Sequence, residues 1–185
     1  MLIFNNLISH ITIFSGVIKF MSLVNKYEIF DNKKNSSIIS ILSGLNIDGT
    51  ANDDWLTGTK GDDTIRGFKA QDILRGGEGD DILNGGDGDD KLFGDAGDDR
   101  LFGGKAQDIL RGGEGDDILN GGSGDNILTG GISADIFVLS IEGKNTITDF
   151  QIGEDIIALG GGLTFNSLNL DRKSTRLNSS HVKRS

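Results

Sequence analysis

The sequence predicts an all-β fold in which the chain winds through about five coils of 18 residues and ends in a β cap. Three observations predict it: a nine-residue repeat, a glycine at the start of every repeat, and a large apolar residue at one fixed position. Glycine at this density excludes a helix. Apolar residues at a strict nine-residue spacing indicate a regular stack of short structural units.

The repeat runs without a gap from Gly49 to Val138, in ten units of nine residues. The first position is glycine in every unit, and the sixth is Asp in every unit except the ninth, which has Asn126. The segment KAQDILRGGEGDDILNGG occurs at 69–86 and again at 105–122, an offset of four units. Because the duplication spans a whole number of units, the nine residues are a unit of structure. The eighth position is always apolar: Leu56, Ile65, Leu74, Leu83, Leu92, Leu101, Leu110, Leu119, Leu128 and Phe137.

Other interpretations of a tract rich in glycine and aspartate fit less well. A disordered acidic tract has no need of an apolar residue at fixed spacing. The phosphate-binding pattern G-x-x-x-x-G-K-[ST] and the dinucleotide pattern G-x-G-x-x-G before a helix are both absent. The EF-hand pattern D-x-[DN]-x-[DN]-G also fails.

Each unit divides into a six-residue turn, such as GGEGDD, and a three-residue strand, such as ILN. The turn glycines allow positive φ and close backbone approach, and the middle strand residue points to one face. Two units make one coil, so stacked coils form two parallel sheets. We expect one inner column of Leu56, Leu74, Leu92, Leu110 and Leu128, and a second of Ile65, Leu83, Leu101, Leu119 and Phe137.

The charge balance indicates a bound cation. The net charge is -10, and residues 49–138 hold 20 Asp and Glu against 8 Lys and Arg. This argues against nucleic acid and anionic membranes as partners, and the lack of cysteine excludes disulfides and thiolate metal sites. Ten inward side chains are also a thin core for so long an array. Ca²⁺, which takes carboxylate and carbonyl oxygens, would offset both the excess negative charge and the thin core. Mg²⁺ prefers a tighter octahedral geometry.

The units resemble the G-G-x-G-x-D-x-U-x repeat of RTX, or haemolysin-type calcium-binding, proteins. The resemblance covers 49–138 and implies a right-handed parallel β-roll, a β-solenoid that binds several Ca²⁺ ions between the turns of successive coils. The implied carboxylate ligands are Asp54, Asp63, Asp72, Asp81, Asp90, Asp99, Asp108, Asp117 and Asp135. The implied backbone carbonyl ligands belong to Gly76, Gly77, Gly79, Gly85, Gly86, Gly88, Gly94, Gly97, Gly112, Gly113 and Gly115. Fifth-position acids are expected to face solvent or to assist: Asp53, Asp62, Asp80, Asp89, Asp98, Asp116 and Asp125.

Departures from the pattern are concentrated on one side of the predicted roll. The turns of odd-numbered units form one edge, the odd edge, and those of even-numbered units form the even edge. Units three and seven carry a KAQD turn, with Ala70 and Ala106 where the pattern has glycine. Every pair of successive odd turns contains a KAQD turn, whereas the pairs two–four, four–six and six–eight are intact. We therefore expect tighter calcium sites on the even edge.

The chain is predicted to comprise a leader (1–48), the calcium-binding roll (49–138), a capping region (139–170) and a tail of translated cloning or adapter sequence (171–185). The segment before Met21 lacks the basic start and cleavage site of a secretory signal, and is either part of the protein or an over-extended reading frame. Alternating residues at 145–159 suit a cap on the last coil. Asp149 and Asp155 are either ligands of a further ion or solvated turn acids, and we expect the latter.

The resemblance implies a bacterial, secreted, extracellular protein, either free or held at the cell surface, that is exported by a type I secretion system. No H-E-x-x-H or G-x-S-x-G motif is present, so we expect no enzymatic activity. Alternatives are a non-catalytic fragment of a larger secreted enzyme or toxin, and a surface or matrix protein that adheres or self-associates. Outward seventh-position isoleucines favour self-association, because apolar stripes can mark contacts: Ile73, Ile82, Ile109, Ile118, Ile127 and Ile136.

Overall fold

The computed structural model describes residues 19–20, 27–28, 44–164 and 166. The predicted tail, 171–185, and most of the predicted leader, 1–48, lie outside these residues. The described part is an all-β parallel solenoid of about six turns, compared with the five coils predicted. It contains no helix with the length and hydropathy of a membrane span.

Two sheets make up the solenoid. Sheet A has the strand order β1-β2-β3-β5-β7-β9-β11-β13-β15, and sheet B has the order β14-β12-β10-β8-β6-β4. The strands of sheet A are β1 (Lys19–Phe20), β2 (Tyr27–Glu28), β3 (Asn46–Asp48), β5 (Thr64–Lys69), β7 (Ile82–Asp87), β9 (Arg100–Lys105), β11 (Ile118–Gly122), β13 (Ile136–Leu139) and β15 (Ile156–Leu159). Those of sheet B are β4 (Trp55–Thr57), β6 (Ile73–Glu78), β8 (Lys91–Ala96), β10 (Ile109–Glu114), β12 (Gly124–Ile132) and β14 (Gly143–Ile147).

The register confirms the two predicted inner columns. Parallel partners in the repeat are 18 residues apart, as in Leu83 opposite Leu101 in sheet A and Leu92 opposite Leu110 in sheet B. Every eighth-position side chain is buried, and all but Leu56 are fully excluded from solvent. Because every coil presents one large apolar side chain from each sheet, the core is a continuous double column along the roll.

The strands are longer than predicted. Strands β5 to β10 each have six residues, such as Ile82–Asp87, where the pattern predicted three. The first three residues of each unit continue the ladder, as in Gly77 opposite Asp95. Stacking explains this difference, since equivalent residues of successive coils lie directly above one another and their backbone groups pair. The turn proper is therefore only the fourth to sixth residues of a unit.

Stacking also extends beyond the ten units at both ends. Strand β3 pairs with β5 and places Ile47 opposite Ile65, so a further inward residue precedes Gly49. At the other end, β14 pairs with β12 and β15 pairs with β13. Ile147 and Leu163 join the apolar core there. The predicted C-terminal β cap is thus made of two more parallel strands.

Candidate metal centre

The sixth-position aspartates point inward and form a column along each edge of the roll. Asp81 ends the turn between β6 and β7, is fully buried, and accepts a hydrogen bond at Oδ1 from the backbone N–H of Asp63, 2.7 Å away. The same bond, always from the residue 18 positions earlier, recurs along both edges. One oxygen of each carboxylate therefore holds two coils together. The other acceptors in the columns are Asp72, Asp90, Asp99, Asp108, Asp117, Asn126 and Asp135.

The second oxygen of most of these carboxylates has no partner. Among the described residues, seven sixth-position aspartates have a buried Oδ2 without any hydrogen bond. A buried, unpaired carboxylate oxygen is costly, and native proteins satisfy such groups with a donor, water or an ion. These oxygens are the observation that calls for a bound cation. They belong to Asp72, Asp81, Asp90, Asp99, Asp108, Asp117 and Asp135.

A backbone carbonyl from the next coil faces six of the seven unpaired oxygens. A methyl group added to Gly76 would lie 2.1 Å from Asp81 Oδ2 and 2.8 Å from the carbonyl oxygen of Gly94. We call this space, bordered by a free carboxylate oxygen and a first-position carbonyl of the next coil, a cradle. At Gly130 the nearest neighbours of the added methyl would be the Asp135 carboxylate and the Phe137 ring, in place of a backbone carbonyl. Cradles lie beside Gly67, Gly76, Gly85, Gly94, Gly103 and Gly112.

The predicted carbonyl donors fall into two groups. The carbonyls of Gly85, Gly94 and Gly112 border cradles, and that of Gly76 lies 2.3 Å from the methyl position of Gly58. The second- and fourth-position glycines instead shape the backbone. Their φ is positive, a conformation that suits glycine. They are Gly77, Gly79, Gly86, Gly88, Gly97, Gly113 and Gly115. The carbonyl oxygens of Gly79, Gly86, Gly97 and Gly113 each face the glycine one coil later.

The two remaining predicted ligands, Asp54 and Asp63, have different surroundings. Asp63 is buried, but its Oδ2 accepts hydrogen bonds from the backbone N–H of Thr59 at 2.5 Å and from its hydroxyl at 2.9 Å. Asp54 is half-buried and accepts the same pair of bonds from Thr50, at 2.5 and 3.0 Å. The structure therefore places both aspartates in the columns but leaves neither with an unpaired Oδ2.

Several residues complete the columns without having been predicted to do so. Asp155 continues the even edge, because its Oδ1 accepts the N–H of Asp135 at 3.1 Å. Asn145 continues the odd edge and bonds Asn126. Asp149 accepts the N–H groups of Gly130 and Gly131. The expectation that Asp149 and Asp155 are merely solvated is therefore wrong: both bind backbone amides at the end of the roll.

The fifth-position acids are exposed along both edges, as predicted. Each even-edge acid accepts a backbone N–H from the next coil, as Asp80 Oδ1 does from Asp98 at 3.0 Å, and Asp53 and Asp89 on the odd edge do the same. On the odd edge, glutamine replaces two of these acids, at Gln71 and Gln107. The even edge therefore carries more negative charge beside its cradles.

Burial raises the pKa of the sixth-position carboxyls above the usual 3.8. Loss of hydration is the main cause, because the charged form is poorly solvated inside the roll. The backbone N–H at Oδ1 lowers the pKa, and neighbouring carboxylates raise it further. The pKa rises to about 7 for Asp81, Asp99, Asp108 and Asp117, and to about 6 for Asp72 and Asp135. The pKa of Asp90 is also raised.

These shifts predict that acid favours the metal-free fold. The folded chain binds more protons than the unfolded chain between about pH 4 and 7, so the stability is fully present below the unfolded pKa and is lost as the pH rises through the folded pKa. In a chelator, far-ultraviolet circular dichroism should show more β-structure at pH 5 than at pH 8. A β signal that stays level or falls on acidification would contradict this.

The donor set suits a hard cation. Within the part of the chain that the structure describes, no three His, Asp or Glu side chains converge as a metal site. Each cradle instead offers one carboxylate oxygen and a backbone carbonyl from the next coil. Ca²⁺ accepts this mixture of carboxylates and carbonyls in flexible geometry, whereas transition metals favour nitrogen and sulfur. The residues therefore fit calcium.

A comparison with known families matches the same residues. A model of the RTX calcium-binding nonapeptide repeat, which spans four copies, matches residues 48–83, 75–110 and 102–137. No curated protein matches the chain. The three matches overlap into one stretch that coincides with the coils, and repeats of this kind bind Ca²⁺ at multiple sites. Residues 48–137 of the chain are therefore an array of RTX calcium-binding nonapeptide repeats.

Proposed function

We propose that this chain is a secreted module that folds when it binds extracellular Ca²⁺. The observation that carries the proposal is the set of seven buried carboxylate oxygens without a partner. In a cytosol poor in calcium these oxygens stay unpaired, and they oppose folding. Outside the cell, millimolar calcium matches the ~10⁻⁴–10⁻³ M affinities of extracellular sites.

The roles of the residues follow from the cradles. Oδ1 of each sixth-position aspartate ties one coil to the one before it, and Oδ2 is held where a carbonyl of the next coil converges. Calcium, when bound, supplies positive charge and ligation to these oxygens. Because the ligands come from two coils, binding stabilises only the stacked state and so favours folding by mass action.

A calcium titration of the full chain tests the proposal. Far-ultraviolet circular dichroism should change cooperatively from coil to β near millimolar Ca²⁺, and Mg²⁺ at the same concentration should have little effect because it keeps its waters. A chain already β-structured in chelator at pH 8, or one unchanged at about 10 mM Ca²⁺, would contradict calcium-driven folding.

The biological setting is part of the same proposal. We propose export by a type I secretion system and an extracellular location, either free or at the cell surface, with neither nucleic acid nor membrane lipid as a partner. The chain is not expected to be an enzyme, because repeats of this kind generally have a structural, calcium-binding role. The chain can equally serve as the non-catalytic part of a larger secreted enzyme or toxin.

The outer faces of the sheets favour a second candidate function, calcium-dependent self-association or adhesion. Ile118 lies opposite Ile136 in sheet A, which lies opposite Ile156, and Ile127 and Ile156 are exposed at 43% and 56%. Such stripes can form contacts between copies. Sedimentation with and without Ca²⁺ tests this: oligomers should form only with calcium, and a monomer in both conditions would exclude self-association.

The two edges are predicted to differ in calcium affinity. Ala70 and Ala106 hold positive φ on the odd edge, which strains a residue other than glycine, and that edge also has fewer fifth-position acids. Asp81→Ala, on the even edge, should therefore weaken calcium binding more than Asp90→Ala, on the odd edge. Both changes remove the same kind of backbone hydrogen bond. A difference in calcium affinity, measured by calorimetric titration, would therefore come from the surrounding turns. Equal losses of affinity would refute the difference.

A further inference from the structure

The roll contains two kinds of turn, distinguished by what satisfies the sixth-position carboxylate. In a closed turn, Oδ2 accepts hydrogen bonds from the second-position residue of its own unit, as Asp63 does from Thr59. In an open turn, Oδ2 is buried and has no partner, as in Asp81. Units one and two are closed, by Thr50 and Thr59. Units three to eight are open and carry the six cradles, and unit ten is open too, at Asp135.

The backbone φ angle at the second position of each unit independently distinguishes the threonine turns from the later ones. In every unit from three to ten, the second-position residue has positive φ, even where it is Phe68 or Asp95. Thr50 and Thr59 have no positive φ, and each directs both its N–H and its hydroxyl onto the carboxylate. The threonine turns are therefore a different backbone conformation and not merely a different side chain.

The closed turns have the same oxygens as a cradle, but the carboxylate is already engaged. A methyl on Gly58 would lie 2.6 Å from Asp63 Oδ2 and 2.3 Å from the Gly76 carbonyl. A carboxylate oxygen and a carbonyl of the next coil therefore lie close together here, as they do in unit four. Two donors already occupy that carboxylate oxygen. A cation there would have to displace two hydrogen bonds to a charged group, which are stronger than bonds between neutral groups.

The opposite end of the roll is also satisfied by protein groups. Asn126 replaces the carboxylate with a neutral amide, whose Nδ2 donates to Asn145 Oδ1 at 3.2 Å. Asp155 Oδ2 accepts the N–H of Gln151 at 2.7 Å. Unpaired carboxylate oxygens thus run from Asp72 in unit three to Asp135 in unit ten. Beyond them, Asn145 and Asp155 accept hydrogen bonds from protein groups.

From these contacts we propose that calcium binds only in the open turns, and that the N-terminal turns of Asp54 and Asp63 bind none because threonine takes the place of the metal. The proposal rests on the proposed calcium-binding function and narrows its ligand set. It makes the first coil a part of the roll whose carboxylates need no metal. The other coils then stack on this coil when calcium is present.

The test is the number of Ca²⁺ ions bound per full-length chain, measured by equilibrium dialysis with metal analysis. Asp63→Asn and Asp81→Asn form a matched pair in one column, and Asn126 shows that an amide oxygen can accept the coil-to-coil bond. Thr59→Gly gives unit two the second-position glycine of unit four, and Thr57→Gly, at an exposed outward position, is its control. Circular dichroism in excess Ca²⁺ reports whether each variant folds.

We expect Asp81→Asn to lose at least one ion, and Asp63→Asn and Thr57→Gly to keep the wild-type number. Thr59→Gly should gain one ion. An equal loss in Asp63→Asn and Asp81→Asn, or no gain in Thr59→Gly, would overturn the proposal while leaving calcium binding intact. If Asp63→Asn fails to fold, the two threonine variants decide. A wild-type chain that binds no Ca²⁺ would instead refute the proposed function, and this inference with it.

Discussion

Leu101→Ala should lower the free energy of unfolding of the calcium-loaded roll by about 2–5 kcal/mol. Leu101 is fully buried, and it lies between Leu83 and Leu119 in the column of sheet A. Because the core is only two side chains wide, little else can move in to fill the cavity. Urea unfolding at saturating Ca²⁺ measures the loss as a lower midpoint.

Arg100→Ala provides the control for this substitution. Arg100 precedes Leu101 in strand β9, but its side chain is exposed on the outer face. Substitutions at such positions change stability by only about 0.5 kcal/mol. If the two variants unfolded at the same urea concentration, the double column would not be the core that holds the sheets together.

Gly94→Ala should prevent normal closure of a central turn and reduce calcium binding. The new methyl group would lie 2.1 Å from Asp99 Oδ2 and 2.8 Å from the carbonyl oxygen of Gly112. One of these neighbours is backbone, so the turn itself must shift, at a cost of about 1–3 kcal/mol or more. The calcium concentration at the midpoint of folding should rise, as measured by circular dichroism.

Gly160→Ala separates this effect from the general consequence of replacing a glycine. Its methyl group would meet nothing closer than 3.5 Å, and its φ is not positive. We expect this variant to fold at the wild-type calcium concentration. A Gly94→Ala chain that did the same would show that the first-position cradle is not needed for calcium-dependent folding.

The period of the repeat was enough to predict the architecture. A spacing of 18 residues places Leu92 over Leu110 whatever the turn conformation, so both columns could be assigned before the structure was known. The strand length could not be assigned this way. Glycine usually weakens a strand, so the sequence alone predicts turn for the first three residues of each unit. Stacking of identical coils overrides that preference, because pairs such as Gly86 and Gly104 align in register.

The candidate site was predictable in its main column but not at its ends. The sixth-position Asp identified Asp99 and its equivalents directly. The role of Thr59 depends on a hydroxyl folding back onto a carboxylate four residues away, which is a property of the turn conformation. The place of Asp155 in the even-edge column could not be predicted, because its distance from Asp135 is 20 residues and falls outside the nine-residue pattern.

The hydrogen bonds at Oδ1 give the roll a polarity. Each carboxylate reaches back toward the N-terminus, so the first coil needs a donor and the last needs an acceptor. The N–H of Leu45 supplies the donor to Asp63 at 2.5 Å, and Asp155 supplies the acceptor to Asp135. The two ends are therefore chemically complementary.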